Sequence, residues 1–118
     1  MSKKILVVDD EELIREALVD LLLGKGYEAY PSSSGNQAFT LTENESFDLV
    51  ISDLRMDDGD GLELSRKLYD KFGESLPVII LTGYIDSAGS DLPSNVKEVV
   101  KKPIRFKKLI VQIEELLA

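Results

Sequence analysis

Residues 4–9 have the sequence Lys-Ile-Leu-Val-Val-Asp, a short apolar run that ends in a carboxylate. A continuous apolar run of this length is typical of a β-strand that is buried on both faces. The pattern returns at residues 47–53 (Phe-Asp-Leu-Val-Ile-Ser-Asp) and at residues 77–82 (Pro-Val-Ile-Ile-Leu-Thr). Each run is followed by a segment of different periodicity, so the runs do not pair as simple hairpins.

The intervening segments have apolar residues at helical spacing. After the first run these residues extend from Leu13 to Leu22, and Gly24 and Gly26 then favour the end of a helix. Further helices are predicted at residues 35–45, 62–72 and 106–117, a weak one at 85–95, and shorter strands at 27–30 and 96–101. Strands that alternate with helices require a parallel sheet. We therefore predict an α/β fold, doubly wound around a five-stranded parallel sheet, in a single domain over residues 1–118.

Composition excludes several kinds of site. The 118 residues include no cysteine and no histidine, which excludes thiolate metal sites and a phosphohistidine carrier and leaves oxygen-ligated Mg²⁺ or Ca²⁺. With 22 acidic and 14 basic residues, the net charge of −8 disfavours nucleic-acid binding. No apolar stretch has the length of a membrane span, so we expect a cytoplasmic protein without membrane insertion.

Polar residues stand at the carboxyl ends of the predicted strands, where doubly wound sheets place their sites. These residues are Asp9, Asp10, Asp53, Thr82 and Lys102. Each has an ordinary explanation when taken alone: aspartate caps helices, threonine favours strands, and most lysines are solvated charges. Their joint position at one sheet edge instead predicts a common site.

The chemistry of these side chains indicates what the site binds. Three neighbouring carboxylates repel one another, and a hard divalent cation such as Mg²⁺ relieves that repulsion. Lys102 adds a fixed positive charge that suits a phosphoryl group. Because a carboxylate can act as a nucleophile and form an acyl phosphate, Asp53 is a candidate phosphoacceptor.

Four segments carry a family resemblance. They are residues 5–11 (Ile-Leu-Val-Val-Asp-Asp-Glu), 48–56 (Asp-Leu-Val-Ile-Ser-Asp-Leu-Arg-Met), 81–84 (Leu-Thr-Gly-Tyr) and 101–103 (Lys-Lys-Pro). In this order they resemble the motifs of receiver domains of two-component response regulators, the CheY-like superfamily with a flavodoxin-like (βα)5 fold. The resemblance runs essentially from end to end.

The resemblance implies a role for each matched residue. Asp53 would accept the phosphoryl group, and Mg²⁺, with Mn²⁺ as a substitute, would bind Asp9, Asp10, Asp53 and the backbone carbonyl of Arg55. The phosphoryl group would contact Thr82 as the switch hydroxyl, the amide of Gly83 and Lys102, and the peptide bond before Pro103 would be cis. The donor would be a histidine kinase or histidine phosphotransfer protein, and an output domain or target protein would receive the signal. The chain would catalyse only its own phosphorylation and slow dephosphorylation.

Three features depart from the family pattern. Asp57 stands where the loop after the acceptor usually has proline, and Val99 stands where many members have an aromatic residue. We therefore expect the usual coupling of the threonine to that aromatic to be absent, with Tyr84 and the Arg55 side chain as candidate modulators. The segment from Thr82 to Lys102 is short and resembles receivers of hybrid histidine kinases.

Other functions fit less well. A calcium loop aligned on Gly61 would place Met56 and Lys67 at ligand positions, and neither supplies the required oxygen. An aspartyl-phosphate phosphatase of the haloacid dehalogenase type needs an acid where Arg55 stands, and a flavodoxin-like cofactor site would place phosphate beside Asp9 and Asp10. The alternative that stays open is a pseudo-receiver, which would bind proteins without being phosphorylated.

Overall fold

The computed structural model describes residues 2–83 and 92–118. The strands in these ranges are β1 (Lys4–Val8), β2 (Glu28–Ser32), β3 (Leu49–Asp53), β4 (Val78–Thr82) and β5 (Val96–Lys101). The helices are α1 (Glu12–Gly24), α2 (Gly35–Asn44), α3 (Gly61–Phe72) and α4 (Phe106–Leu117). None of the helices in the described ranges is both long and apolar enough to cross a bilayer.

The strands form one parallel sheet in the order β2-β1-β3-β4-β5. The chain therefore reverses direction across the sheet after β2, and the gap between β1 and β3 lies at the switch point of a doubly wound fold. This topology confirms the predicted fold class. It also brings the carboxyl ends of β1, β3, β4 and β5 to one edge.

Side chains of the central strands alternate between two apolar layers. On β1, Ile5 and Val7 pack in the layer that contains buried leucines of α1 and α4. Leu6 and Val8 pack in the opposite layer, with α2 and α3. Successive strand residues point to opposite faces, so a strand covered on both faces needs apolar residues at every position. The uninterrupted apolar runs in the sequence follow from this arrangement.

Strand β2 extends further than its sequence indicates. We predict a strand over residues 27–30, whereas β2 ends at Ser32 and contains Pro31. Asp9 N donates to Ser32 O, and Glu28 N donates to Lys3 O. The residues of β2 that are hydrogen-bonded to β1 alternate with residues that are not, and Pro31 is one of the latter. Because β2 is an edge strand, the missing N–H of Pro31 costs no ladder hydrogen bond.

The weak helix predicted at residues 85–95 lies mostly outside the described residues. Its described part, residues 92–95, is a loop with a turn at Ser94 and Asn95. Asn95 is fully buried. Its side-chain amide donates to Ser65 O at 3.0 Å, and its backbone carbonyl accepts from Val78 N at 2.9 Å. This loop therefore ties the start of β4 to α3.

Candidate functional site

The predicted site residues converge at the carboxyl edge of the sheet. Asp9 follows β1, Asp53 ends β3, Thr82 ends β4 and Lys102 follows β5. An open cavity of about 390 Å³ lies at this edge, and its lining residues are Asp10, Glu11, Asp53, Arg55, Thr82, Gly83 and Lys102. Strands of similar length in a parallel sheet end at the same edge, which is why residues distant in sequence meet there.

The ammonium group of Lys102 lies among three carboxylates. Its Nζ is 3.2 Å from Asp53 Oδ2, 3.4 Å from Glu11 Oε1 and 3.5 Å from Asp9 Oδ2. Burial lowers the pKa of Lys102, but attraction to Asp9 and Asp53 outweighs burial and raises that pKa above its ordinary value. Lys102 is therefore a permanent cation facing the predicted phosphoacceptor.

Two of the carboxyl groups are largely removed from water. Asp9 is fully buried, and Asp53 is 7% exposed. Burial raises the pKa of both groups; Lys102 opposes this for Asp53, while the Glu11 amide and Lys102 oppose it for Asp9. The effect of desolvation on these two pKa values therefore exceeds that of the single nearby ammonium. A further cation would stabilise the ionised carboxylates.

The donor atoms fit a magnesium ion. One carboxylate oxygen from each of Asp9, Asp10 and Asp53 lies within 4.8 Å of the others. Among the described residues, no hydrogen-bond donor satisfies the buried Asp9 Oδ2, and the nearby cation, Lys102 Nζ, is 3.5 Å away; Asp9 Oδ1 accepts from Glu11 N at 2.9 Å. A buried carboxylate oxygen without a hydrogen bond is costly unless a cation neutralises it. An all-oxygen donor set is the kind that Mg²⁺ prefers.

A glycine at the start of α3 allows close packing beside Asp53. A Cβ on Gly61 would lie 2.4 Å from Asp53 O, and Gly61 N donates to Leu54 O at 2.9 Å. Ser52 Oγ donates to Asp53 O at 2.9 Å. The Asp53 carbonyl is therefore held between β3 and the first turn of α3.

Hydrogen bonds to Asp58 hold the loop after β3 against the start of α2. The Asp58 carboxylate accepts from Ser34 Oγ and from Asn36 Nδ2, both at 2.9 Å, and Asp58 has a positive φ of 58°. Gly35 N donates to Gly59 O at 2.8 Å, a close approach that a Cβ on Gly35 would block. Because these partners lie far from Asp58 in sequence, the sequence analysis did not identify this contact.

The remaining predicted residues have varied surroundings. Arg55 and Gly83 are exposed residues at the rim of the cavity, and the Lys102–Pro103 peptide bond is cis, the isomer that the resemblance implies. Val99 is half-buried and packs against the layer formed with α2 and α3. Tyr84 lies outside the described residues. Glu11 belongs to the first motif but has no predicted role, although its carboxylate lies 3.4 Å from Lys102 Nζ.

A second, larger groove of about 460 Å³ lies between β5 and α4. Its charged lining residues are Lys101, Lys102, Arg105 and Lys108. This lining is basic and contains no carboxylate, so it disfavours a divalent cation. The smaller acidic cavity is therefore the candidate site.

Comparison with known proteins agrees with this geometry. The response regulator receiver domain family matches residues 5–114. The transcriptional regulatory protein ZraR of Klebsiella oxytoca is 38% identical over 97% of this chain, which spans 26% of ZraR. The response regulator MprA of Mycobacterium sp. (strain KMS) is 32% identical over 99% of this chain, which spans about half (51%) of MprA.

A solved structure is also similar. The response regulator protein TrrA of Thermotoga maritima, crystallised with Mg²⁺-BeF, is 37% identical and superposes with a TM-score of 0.87. The match covers 98% of this chain and 99% of the TrrA chain. The parallel sheet, the acidic edge with its lysine and the match over residues 5–114 together show that this chain belongs to the response regulator receiver domain family.

Proposed function

We propose that this chain receives a phosphoryl group on Asp53 from the phosphohistidine of a histidine kinase or a histidine phosphotransfer protein, in a reaction that requires Mg²⁺. The observation that carries the proposal is the placement of the Asp53 carboxylate. Its Oδ2 lies 3.2 Å from Lys102 Nζ, and it also belongs to the three-carboxylate cluster with Asp9 and Asp10. A phosphoryl group on Asp53 would thus meet the Lys102 ammonium and, when Mg²⁺ is bound by the cluster, the charge of that ion.

The transfer balances without an external oxidant or reductant. An Asp53 carboxylate oxygen forms a bond to phosphorus, the phosphorus–nitrogen bond of the donor breaks, and the imidazole nitrogen keeps the electron pair. Mg²⁺, when bound, neutralises charge on the phosphoryl oxygens. Lys102 holds one phosphoryl oxygen by a charge-assisted hydrogen bond, and this reduces repulsion between the two anions.

The other residues at the cavity complete the proposal. Asp9, Asp10, Asp53 and the Arg55 carbonyl hold Mg²⁺, for which Mn²⁺ can substitute. The Thr82 hydroxyl and the Gly83 amide contact the phosphoryl group. Thr82 is 2% exposed at the end of β4, so a shift of this residue would be transmitted to its neighbours.

The biological setting is part of the same proposal. Residues 1–118 act as a single cytoplasmic receiver domain that changes conformation to signal to an output domain or target protein. The chain binds no nucleic acid itself and catalyses only its own phosphorylation and slow dephosphorylation. The Mg²⁺-BeF complex of TrrA and the longer regulators ZraR and MprA support this setting.

Intact-mass measurement tests the proposal. Incubation with acetyl phosphate and Mg²⁺ should add one phosphoryl group to the parent chain and none to Asp53→Asn. Asp48→Asn is the matched control, because Asp48 pairs with Lys4 N at the opposite edge of the sheet. Unchanged labelling of Asp53→Asn would contradict the assignment, and unlabelled parent chain would favour a pseudo-receiver.

A further inference from the structure

Glu11 is a site residue to which neither the family motifs nor the metal cluster assigns a role. It directly follows Asp10 and precedes α1, and its Oε1 lies 3.4 Å from Lys102 Nζ. Glu11 occupies the N-cap position, yet its side chain makes no capping hydrogen bond with the helix. Its carboxylate therefore contributes to the cavity rather than to the start of the helix.

The three carboxylates around Lys102 differ in freedom to move. The side chains of Asp9 and Asp53 are 0% and 10% exposed, whereas that of Glu11 is 61% exposed. Asp9 is also fixed by the bond from Glu11 N to its Oδ1. Glu11 has a longer side chain directed into an open cavity, so it can leave the ammonium at the lowest cost.

A phosphoryl group on Asp53 would need the same ammonium group. Lys102 has three N–H donors, and in this structure its Nζ lies within 3.5 Å of three carboxylates. Nζ donates hydrogen bonds to Glu11 Oε1 and Asp53 Oδ2 but not to Asp9 Oδ2. Because Asp53 itself forms the bond to phosphorus, a phosphoryl oxygen at this ammonium competes with Glu11 for its donors. The exposed carboxylate at the cavity rim is the one that solvent can stabilise after displacement.

From these contacts we infer that Glu11 is a positioning residue that acts through Lys102, as an exchangeable counter-ion. It holds the ammonium in the unphosphorylated chain and is displaced by the phosphoryl group. This inference rests on the proposed function and adds to it a determinant of how readily Asp53 is loaded. Glu11 opposes loading by competing for Lys102 and by repelling the phosphoryl anion.

The inference predicts different effects on the binding of two ligands. In Glu11→Gln, beryllofluoride should bind the Mg²⁺-saturated chain about two- to five-fold more tightly, the range expected for loss of a competing exposed ion pair. Mg²⁺ alone should bind no more tightly than to the parent, because the variant loses a negative charge beside the cavity while Lys102 keeps its contact with Asp53. A structural defect in the variant would instead weaken the binding of both ligands.

Glu12→Gln is the matched control. It removes the same charge one residue further along, and Glu12 is the first residue of α1 rather than a partner of Lys102. Fluorine NMR titration gives the beryllofluoride affinity, calorimetry gives the Mg²⁺ affinity, and circular dichroism checks the fold. The gain in Glu11→Gln should shrink as ionic strength rises, because added salt screens an exposed pair.

The outcomes separate this inference from the proposed function. Tighter beryllofluoride binding in Glu11→Gln but not in Glu12→Gln supports the inference. Equal affinities in the two variants, or weaker binding in Glu11→Gln, would overturn it while leaving phosphorylation of Asp53 intact. A parent chain that binds Mg²⁺ but no beryllofluoride would contradict the proposed function and this inference with it.

Discussion

The backbone amide of Lys102 donates a hydrogen bond to the carbonyl oxygen of Thr82, with an N···O distance of 2.8 Å. Thr82 also pairs with Lys101 in the register of β4 and β5. The residue that supplies the ammonium group is thus fixed to the residue that supplies the hydroxyl. Because this contact is made by the backbone, substitutions of the Lys102 side chain remove the ammonium and leave the strand pairing in place.

Lys102→Ala should therefore fold normally and bind Mg²⁺ more tightly than the parent. In the metal-free chain the ammonium neutralises part of the charge on Asp53 and Asp9, and Mg²⁺ must compete with it. The same variant should lose most of its affinity for beryllofluoride, because the phosphoryl-side cation is gone. Calorimetric titration with each ligand measures both effects.

Lys101→Ala serves as the control for Lys102→Ala. Lys101 is exposed, whereas the adjacent Lys102 lines the acidic cavity. Its affinities for Mg²⁺ and beryllofluoride should match those of the parent. If Lys102→Ala behaves like Lys101→Ala in both titrations, then Lys102 is an ordinary solvated charge and the proposed role is wrong.

Gly61→Ala should destabilise the fold by displacing the backbone at Asp53. Its Cβ would lie 2.4 Å from Asp53 O, and a backbone atom cannot move away as a flexible side chain can. The expected loss in the free energy of unfolding is about 1–3 kcal/mol, the usual cost of overpacking. Urea denaturation followed by circular dichroism measures it.

Gly24→Ala is the control for Gly61→Ala. Gly24 ends α1, and nothing lies within 4 Å of a Cβ placed there. This variant should be as stable as the parent or more stable by up to about 1 kcal/mol, because alanine restricts the unfolded chain. Equal stability of the two variants would mean that the packing against Asp53 O is not restrictive.

Asp58→Asn should reduce stability at neutral pH but matter less in acid. Hydrogen bonds from Asn36 and Ser34 lower the pKa of Asp58 in the folded chain. A lowered pKa gives a contribution that is present above the pKa of the unfolded chain and is lost as pH falls through the folded value. Asparagine tolerates the positive φ, so the backbone is preserved.

Urea midpoints measured in chelator from neutral pH into the acid range test this contact. The midpoint of Asp58→Asn should lie below that of the parent at neutral pH, and the difference should narrow as pH falls. Asp57→Asn removes a charge from the same loop but leaves the hydrogen bonds of Asp58, so it should show a smaller effect. A pH-independent difference would exclude the carboxylate as its source.

Mg²⁺ should stabilise the fold without being needed for it. The sheet and its two apolar layers do not depend on the acidic edge, so chelator should leave the circular dichroism spectrum unchanged. Mg²⁺ at about a hundred times its dissociation constant should add about 2.7 kcal/mol to the free energy of unfolding. A spectrum that collapses in chelator would show instead that the metal is structural.

Asp10→Asn separates specific binding from general screening. Asp10 is an exposed member of the carboxylate cluster, and its loss should flatten the rise of the melting temperature with Mg²⁺. Asp20→Asn, on α1, should keep the parent's response. Equal responses in the two variants would indicate that Mg²⁺ acts by screening charge across the surface.

Local sequence pattern predicts the order of the strands and of the described helices, because burial on both faces requires uninterrupted apolar runs such as residues 47–53. It also placed Asp9, Asp53, Thr82 and Lys102 at strand ends, and parallel strands carry their ends to one edge. The bounds of a strand or helix are predicted less accurately where its pattern of apolar residues is weak. The predicted second strand ends at residue 30, but proline is tolerated on an edge strand, and β2 continues through Pro31 to Ser32.

The contacts between these side chains depend on the packing of the whole fold. The pairing of Lys102 with Glu11, the fastening of Asp58 to Ser34 and the packing of Gly61 on Asp53 join residues from different elements. Local pattern reports which face a residue occupies, but not its distance from residues elsewhere in the chain. That distance follows from strand register and helix packing, which the whole core sets together.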